Sequence, residues 1–72
     1  MLECPRCNGQ GHVFLVRVKK TGKILKLCDE CDAIWNHDEE VSQESWSTFD
    51  HYMEDIGLDT RWDHIEVLGA AE

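Results

Sequence analysis

Seventy-two residues, 42% of them apolar, make one small domain that is too hydrophobic for a disordered chain. No apolar run approaches the ~18–20 residues of a membrane helix, and "MLECPRC" lacks the basic and apolar regions of an export signal, so the expected compartment is the reducing cytoplasm. The net charge of −8 speaks against tight autonomous binding to nucleic acid, because phosphate neutralisation dominates such affinity.

The first element is "CPRCNGQGH", residues 4–12, and it pairs with "CDECDAIW", residues 28–35, to give C-x2-C-x20-C-x2-C from Cys4, Cys7, Cys28 and Cys31. Two intervening residues let both thiolates of a pair face one ion across a tight turn, and two pairs complete a tetrahedron. Asn8 and Gly9 suit the left-handed conformation of a metal knuckle, in which backbone N–H groups turn towards the cysteine sulfurs. The expectation is one structural zinc on these four cysteines. Two disulfides or free buried thiols are the alternatives, and a reducing compartment disfavours the former. A core this small supplies only about 3–5 kcal/mol, whereas structural zinc sites contribute about 10–16 kcal/mol, so the ion is the expected staple.

Between the cysteine pairs, "GHVFLVRVKK" reads as a strand with Phe14, Val16 and Val18 on one face. "KTGK" turns the chain at Gly22, and "ILKLC" returns with Leu25 and Leu27 on one face. A short third strand or extended stretch is expected through Ala33 to Trp35. "NHDEEVSQES" reads as an acidic linker. Trp46, Phe49, Met53 and Ile56 then fall on one face of a helix, capped by Ser42 or, further on, by Ser45 or Ser47. Gly57 stops that helix, and Leu58 is placed to close the cap. Trp62, Ile65 and Leu68 suggest a second short helix from Thr60, with a strand as the alternative over residues 60–68. The fold class is thus α+β: a zinc-ribbon hairpin of two to three strands, residues 1–35, with an acidic linker and helical tail, residues 36–72, packed on it as a single domain.

"CPRC", a hairpin, and Cys28-x2-Cys31-x3-Trp35 resemble the zinc ribbons of transcription elongation factors and small RNA polymerase subunits, in which an aromatic after the last ligand packs on the hairpin. The elongation factors carry an acidic pair at the hairpin tip. Here the tip is "KKTGK", so that activity is not implied. Cys4, Cys7, Gly9 and Gly11 are similar to the C-x-x-C-x-G-x-G repeat of J-domain co-chaperones, a likeness of knuckle geometry. The chain as a whole resembles small bacterial zinc-ribbon proteins, some suspected of being partners or antidotes of toxins.

Charge divides the chain unevenly. Residues 1–35 carry six bases against four acids, a net +2, while residues 36–72 carry Arg61 against eleven acids, a net −10. A divalent ion with four thiolates brings the first half near neutrality. The acidic half is therefore expected to meet a basic protein partner, with Glu54, Asp55, Asp59, Asp63 and the aromatic anchor Trp62 as candidate contacts. An immunity-type inhibitor of a cationic nuclease toxin and a regulatory subunit both fit. The alternative is a transcription-related, nucleic-acid-associated ribbon using Arg17, Lys19, Lys20, Lys23 and Lys26. A third class is a structural or redox zinc domain without a partner surface. No nucleophile–base set, phosphate loop or calcium loop is present, so no enzyme activity or small-molecule substrate is expected. His37 as a substitute ligand, and His51 with Asp55 as a helical i,i+4 pair, are secondary candidates.

Overall fold

The alternating segment after Gly11 becomes the hub of the sheet. The computed structural model describes residues 2–71, with β1 at Leu2–Glu3, β2 at His12–Val18, β3 at Ile24–Cys28, β4 at Ala33–Asn36, β5 at Ser47–Thr48, α1 at Phe49–Asp55 and β6 at Ile65–Ala70. Single turns of 3-10 helix cover Pro5–Cys7 and Trp62–His64. Every strand pairing is antiparallel, in the order β1-β2-β3-β4-β5, and β6 also pairs with β2. Among the described residues no helix is long and apolar enough to cross a membrane.

The hairpin forms as its periodicity requires. Phe14 faces Leu27 and Val16 faces Leu25 across β2 and β3. The turn closes through Gly22, whose φ is +74°, with its N–H donated to the Val18 carbonyl at 2.7 Å. The expected third strand is β4. Both faces of the sheet are then covered. Val16, Val18, Leu25, Leu27, Ile34 and Ile65 pack against Phe49 and Met53 of the α1 side. Val13, Cys28, Ala33 and Trp35 pack on the opposite side with Cys4 and Ala71. A strand buried on both faces explains why β2 and β4 are almost wholly apolar.

The α+β class stands, but the sheet has six strands rather than two to three. β1 and β5 are two residues long, too short to show a period. The second helix expected from Thr60 is a 3-10 turn followed by β6, because β2 has an open edge that Ile65–Ala70 fills. The first helix also starts later than Ser42, Ser45 or Ser47. Thr48 is the cap, its Oγ1 accepting the His51 N–H at 3.3 Å. Ser42 instead closes a local turn, accepting from the Glu44 N–H at 3.3 Å. Residues 47–48 are held in β5 by Ile34 and Ala33, which forbids helix before Phe49.

The helix ends as expected. Gly57, at φ +79°, donates to the Glu54 carbonyl at 3.1 Å, and the Leu58 N–H donates to the Met53 carbonyl at 2.8 Å. Leu58 packs against the core beside Met53. Seven residues are too few for a helix to stand alone, so its caps matter. Thr48→Ala should cost about 1 kcal/mol, read as a lower urea midpoint with an unchanged slope. Of the three tryptophans only Trp35 is buried. Its Nε1 donates to the Glu44 carbonyl at 3.2 Å, which pins the acidic linker to the sheet. Trp46 and Trp62 are 46% and 41% exposed, although Trp46 was expected on the apolar face of the helix.

Candidate metal centre

Cys4 follows β1, Cys7 ends the first 3-10 turn, Cys28 ends β3, and Cys31 lies in the turn before β4. Strand pairing brings these four together, since Val13 faces Cys28 and Leu2 faces Val13. Their sulfurs all lie within 4.8 Å of one another. Cys4 Sγ is 3.7 Å from Cys31 Sγ, and Cys7 Sγ is 3.7 Å from Cys28 Sγ. A disulfide needs about 2.0 Å, so the thiols are unbridged. A tetrahedral ion with metal–sulfur bonds near ~2.3 Å has sulfur–sulfur edges of about 3.8 Å. The donor set thus fits one tetrahedrally held metal ion, an arrangement consistent with a zinc ribbon.

The first knuckle is built by its small residues. Asn8 and Gly9 take φ of +55° and +78°, as their types suggest. That reversal lets the Gly9 N–H reach the Cys4 carbonyl at 2.9 Å and the Gly11 N–H reach Cys7 Sγ at 3.3 Å. Gly11 is confined for a different reason. A Cβ there would lie 2.6 Å from Cys28 Sγ and 2.9 Å from Glu30 Cβ. The second knuckle donates the Glu30 N–H to Cys28 Sγ at 3.4 Å, and its left-handed residue is Asp32, at φ +59°. Asp29 ties it to the start of β2, its Oδ1 accepting the His12 N–H at 2.9 Å.

Without a cation the cluster resists ionising fully. Burial pushes the Cys28 thiol up to about 12 and raises Cys4 as well. Burial also pulls Cys7 upward, but the Gly11 N–H and the neighbouring thiols outweigh it and leave Cys7 lowered. Cys31 is the exposed member. Four closed thiolate ligands would leave no position for a substrate water on an ion held here.

Asp32 carries a local cost. Burial, and then repulsion from Asp50, raise its carboxyl above the usual 3.8. A raised acid favours the fold below its unfolded value and loses that advantage as pH climbs through the folded one, so ionised Asp32 is a debit at pH 7. Asn tolerates the left-handed region and carries no charge. Asp32→Asn should therefore stabilise the metal-loaded protein at pH 7, by a small amount because solvent screens the charge. Asp50→Asn should recover part of the same gain in a double-mutant cycle on denaturation midpoints.

The other candidate residues fall outside this cluster. His37 is exposed and is not among the grouped ligands. His51 Nε2 lies 3.5 Å from Asp55 Oδ2 as an exposed helical pair. Glu54 and Asp55 are exposed on α1, and Asp59, Trp62 and Asp63 are exposed between α1 and β6. Asp59 is partly spoken for: its carboxyl, lowered by the Arg61 backbone N–H, also meets the Arg61 side chain at 3.3 Å and His64 at 2.9 Å.

The basic residues of the hairpin are largely engaged within the chain. Arg17 pairs with Glu66, and Lys26 donates to the Glu39 carbonyl. Lys20 donates to the Ile56 carbonyl at 2.6 Å, at the negative end of α1. Lys23 sits over Trp46, 5.3 Å from the ring centroid. Only the Lys19 side chain lacks such a contact among the described residues. Sequence reasoning missed Asp32 as a left-handed residue and missed the exposed pair Val67 and Leu68. The β-branched "IEV" was the available signal for the strand that carries them.

Among the described residues a six-stranded antiparallel sheet with one α-helix and a four-thiol cluster defines the class, a small α+β protein with a candidate tetrathiolate metal centre. No protein-family model matches the chain, and no curated protein or solved structure matches it.

Proposed function

We propose that this chain is a non-catalytic protein with one structural zinc, which binds a basic protein partner through its acidic half. Zinc is the ion of choice for four thiolates at tetrahedral spacing, being redox-inert and without a demand for further ligands. The observation that carries the partner reading is charge segregation, a net −10 over residues 36–72 against +2 over residues 1–35. Glu54, Asp55 and Asp63 are exposed in that half, and Trp62 among them is 41% exposed. A half-exposed aromatic among carboxylates suits a cationic protein surface, and opposite fields speed the encounter. A nuclease toxin neutralised by an immunity-type inhibitor is one such partner, and a larger assembly with this chain as regulatory subunit is another. The lysine-stripe alternative has less support, because four of its five cations already serve intramolecular contacts.

The test is capture from the native host with zinc-loaded protein at low salt. A basic protein should be retained, should elute as ionic strength rises, and should be lost with the double variant Glu54→Lys, Asp63→Lys. Retention of nucleic acid instead, abolished by Lys19→Glu with Lys20→Glu and Lys23→Glu, would establish the alternative.

A further inference from the structure

The edge of the sheet formed by β6 stands unguarded. The pairing directions follow from the bonds that flank β2. The Val18 N–H goes to Lys23 on the β3 side, whereas the Lys19 N–H goes to the His64 carbonyl and the Val13 carbonyl accepts from Ala71. Backbone groups alternate along a strand, so odd-numbered residues of β2 face β6. Arg17 with Glu66, and Leu15 with Gly69, are then the positions bonded across this pair. Ile65, Val67 and Ala70 consequently turn their N–H and C=O groups outward, where no strand lies among the described residues. The register shifts between Leu15 and Val16, which places Leu68 in a bulge.

Exposed edges are usually blunted by lysine, proline or an inward charge. β6 reads Ile-Glu-Val-Leu-Gly-Ala, and its one charge, Glu66, is paired with Arg17. Val67 and Leu68 are 48% and 46% exposed, both large for surface residues of so small a protein. Just before the strand stand Trp62, 41% exposed, and the exposed Asp63, which makes no ion pair among the described residues.

We infer that β6 is a strand-addition site for an extended cationic segment of a partner protein, which pairs with Ile65, Val67 and Ala70 and lays a basic side chain against Trp62 and Asp63. Charge selects this occupant over a second copy of the chain. Two molecules of −8 repel each other, while a basic segment is drawn to the half that carries −10. Main-chain bonds give such a site its affinity, and the alternate side chains of the incoming strand meet Val67 and the bulge at Leu68. The inference rests on the basic-partner reading and narrows it to one edge.

The experiment titrates zinc-loaded full-length protein with a seven-residue peptide alternating lysine and valine, followed by amide NMR. The expected result is shifted and exchange-protected amides at Ile65, Val67 and Ala70. A peptide of equal charge with a central proline should bind at least tenfold more weakly. Val67→Pro removes an outward N–H and spares the β2 ladder, so it should weaken the first peptide by a similar factor while one zinc per chain is retained. Should Val67→Pro fail to fold, the two peptides against wild type carry the comparison alone. Equal binding of both peptides, lost with Glu54→Lys and Asp63→Lys, would overturn strand addition and leave the acidic-surface reading standing. Concentration-dependent dimers in sedimentation, dissociated by Val67→Pro, would also overturn it, because the edge would then be self-paired.

Discussion

A strong chelator at neutral pH should unfold this chain, with loss of the near-ultraviolet circular dichroism of Trp35, and one equivalent of zinc should restore it. Structural zinc sites contribute about 10–16 kcal/mol, against about 3–5 kcal/mol from a core of this size. The cluster is also part of the second apolar layer. Cys4 and Cys28 are fully buried beside Val13 and Trp35, so loss of a bound ion would remove the link between β1, the end of β3 and the turn into β4. The ligands should not be equivalent. Cys28→Ser places a hydroxyl in that layer and should prevent folding, while Cys31→Ser, at the exposed corner, should leave a weaker three-thiolate site that still binds metal. Elemental analysis with thermal melts separates these outcomes. Metal-loaded protein loses stability on acidification, because protons compete for the thiolates. A chelated chain that kept its native circular dichroism would remove zinc from the account of this fold.

Gly11→Ala should be nearly as damaging, from one added methyl group. Its Cβ would sit 2.6 Å from Cys28 Sγ, and the nearest other atoms belong to Glu30, next to the same knuckle. A sulfur bound to zinc is confined to within about 0.2 Å of its bond length, so it cannot retreat without leaving the metal. Nor can Gly11 retreat easily, since its N–H donates to Cys7 Sγ and its carbonyl accepts the Cys4 N–H at 3.0 Å. The expected cost is about 3 kcal/mol, at the top of the overpacking range, with zinc affinity lower by about 100-fold, the scale of a disturbed ligand shell. Two other glycines calibrate the result. Gly22→Ala meets nothing within 4 Å and incurs only the left-handed penalty, about 1–2 kcal/mol. Gly9→Ala meets the flexible end of Glu3, which can swing aside, and at φ +78° it incurs the same left-handed penalty as Gly22→Ala. A competition assay against a chromophoric chelator should show both retaining affinity where Gly11→Ala loses it.

The parts of the molecule legible in sequence are those fixed by local chemistry. Alternation placed the hairpin, the cysteine spacing placed the cluster, "NG" after Cys7 placed the first knuckle, and Gly57 placed the end of α1. The misjudged parts are set by distant partners. Trp46 fits the helical period of Phe49 and Met53, yet its N–H is held by the Ile34 carbonyl at 3.0 Å, so β4 claims the segment before a helix can begin. Trp62, Ile65 and Leu68 share a helical spacing too. Only the vacant edge of β2 decides for a strand, and no window around residue 65 contains that information. Asp32 shows a milder form of the same limit, since the second knuckle uses an aspartate where the first uses Asn8 and Gly9.

The bridge between Arg17 and Glu66 joins positions 49 residues apart, and the pairs of the β2–β6 ladder lie 47 to 56 residues apart. Synthesis therefore delivers the hairpin before the strand that flanks it. Until Ile65–Ala70 emerges, the nascent chain presents an open flank of β2 carrying Leu15 and Arg17, a surface suited to chaperones or to mispairing with neighbouring polypeptides. Long-range closure of this kind slows folding, so the interval before β6 docks is when the chain is most open to mispairing.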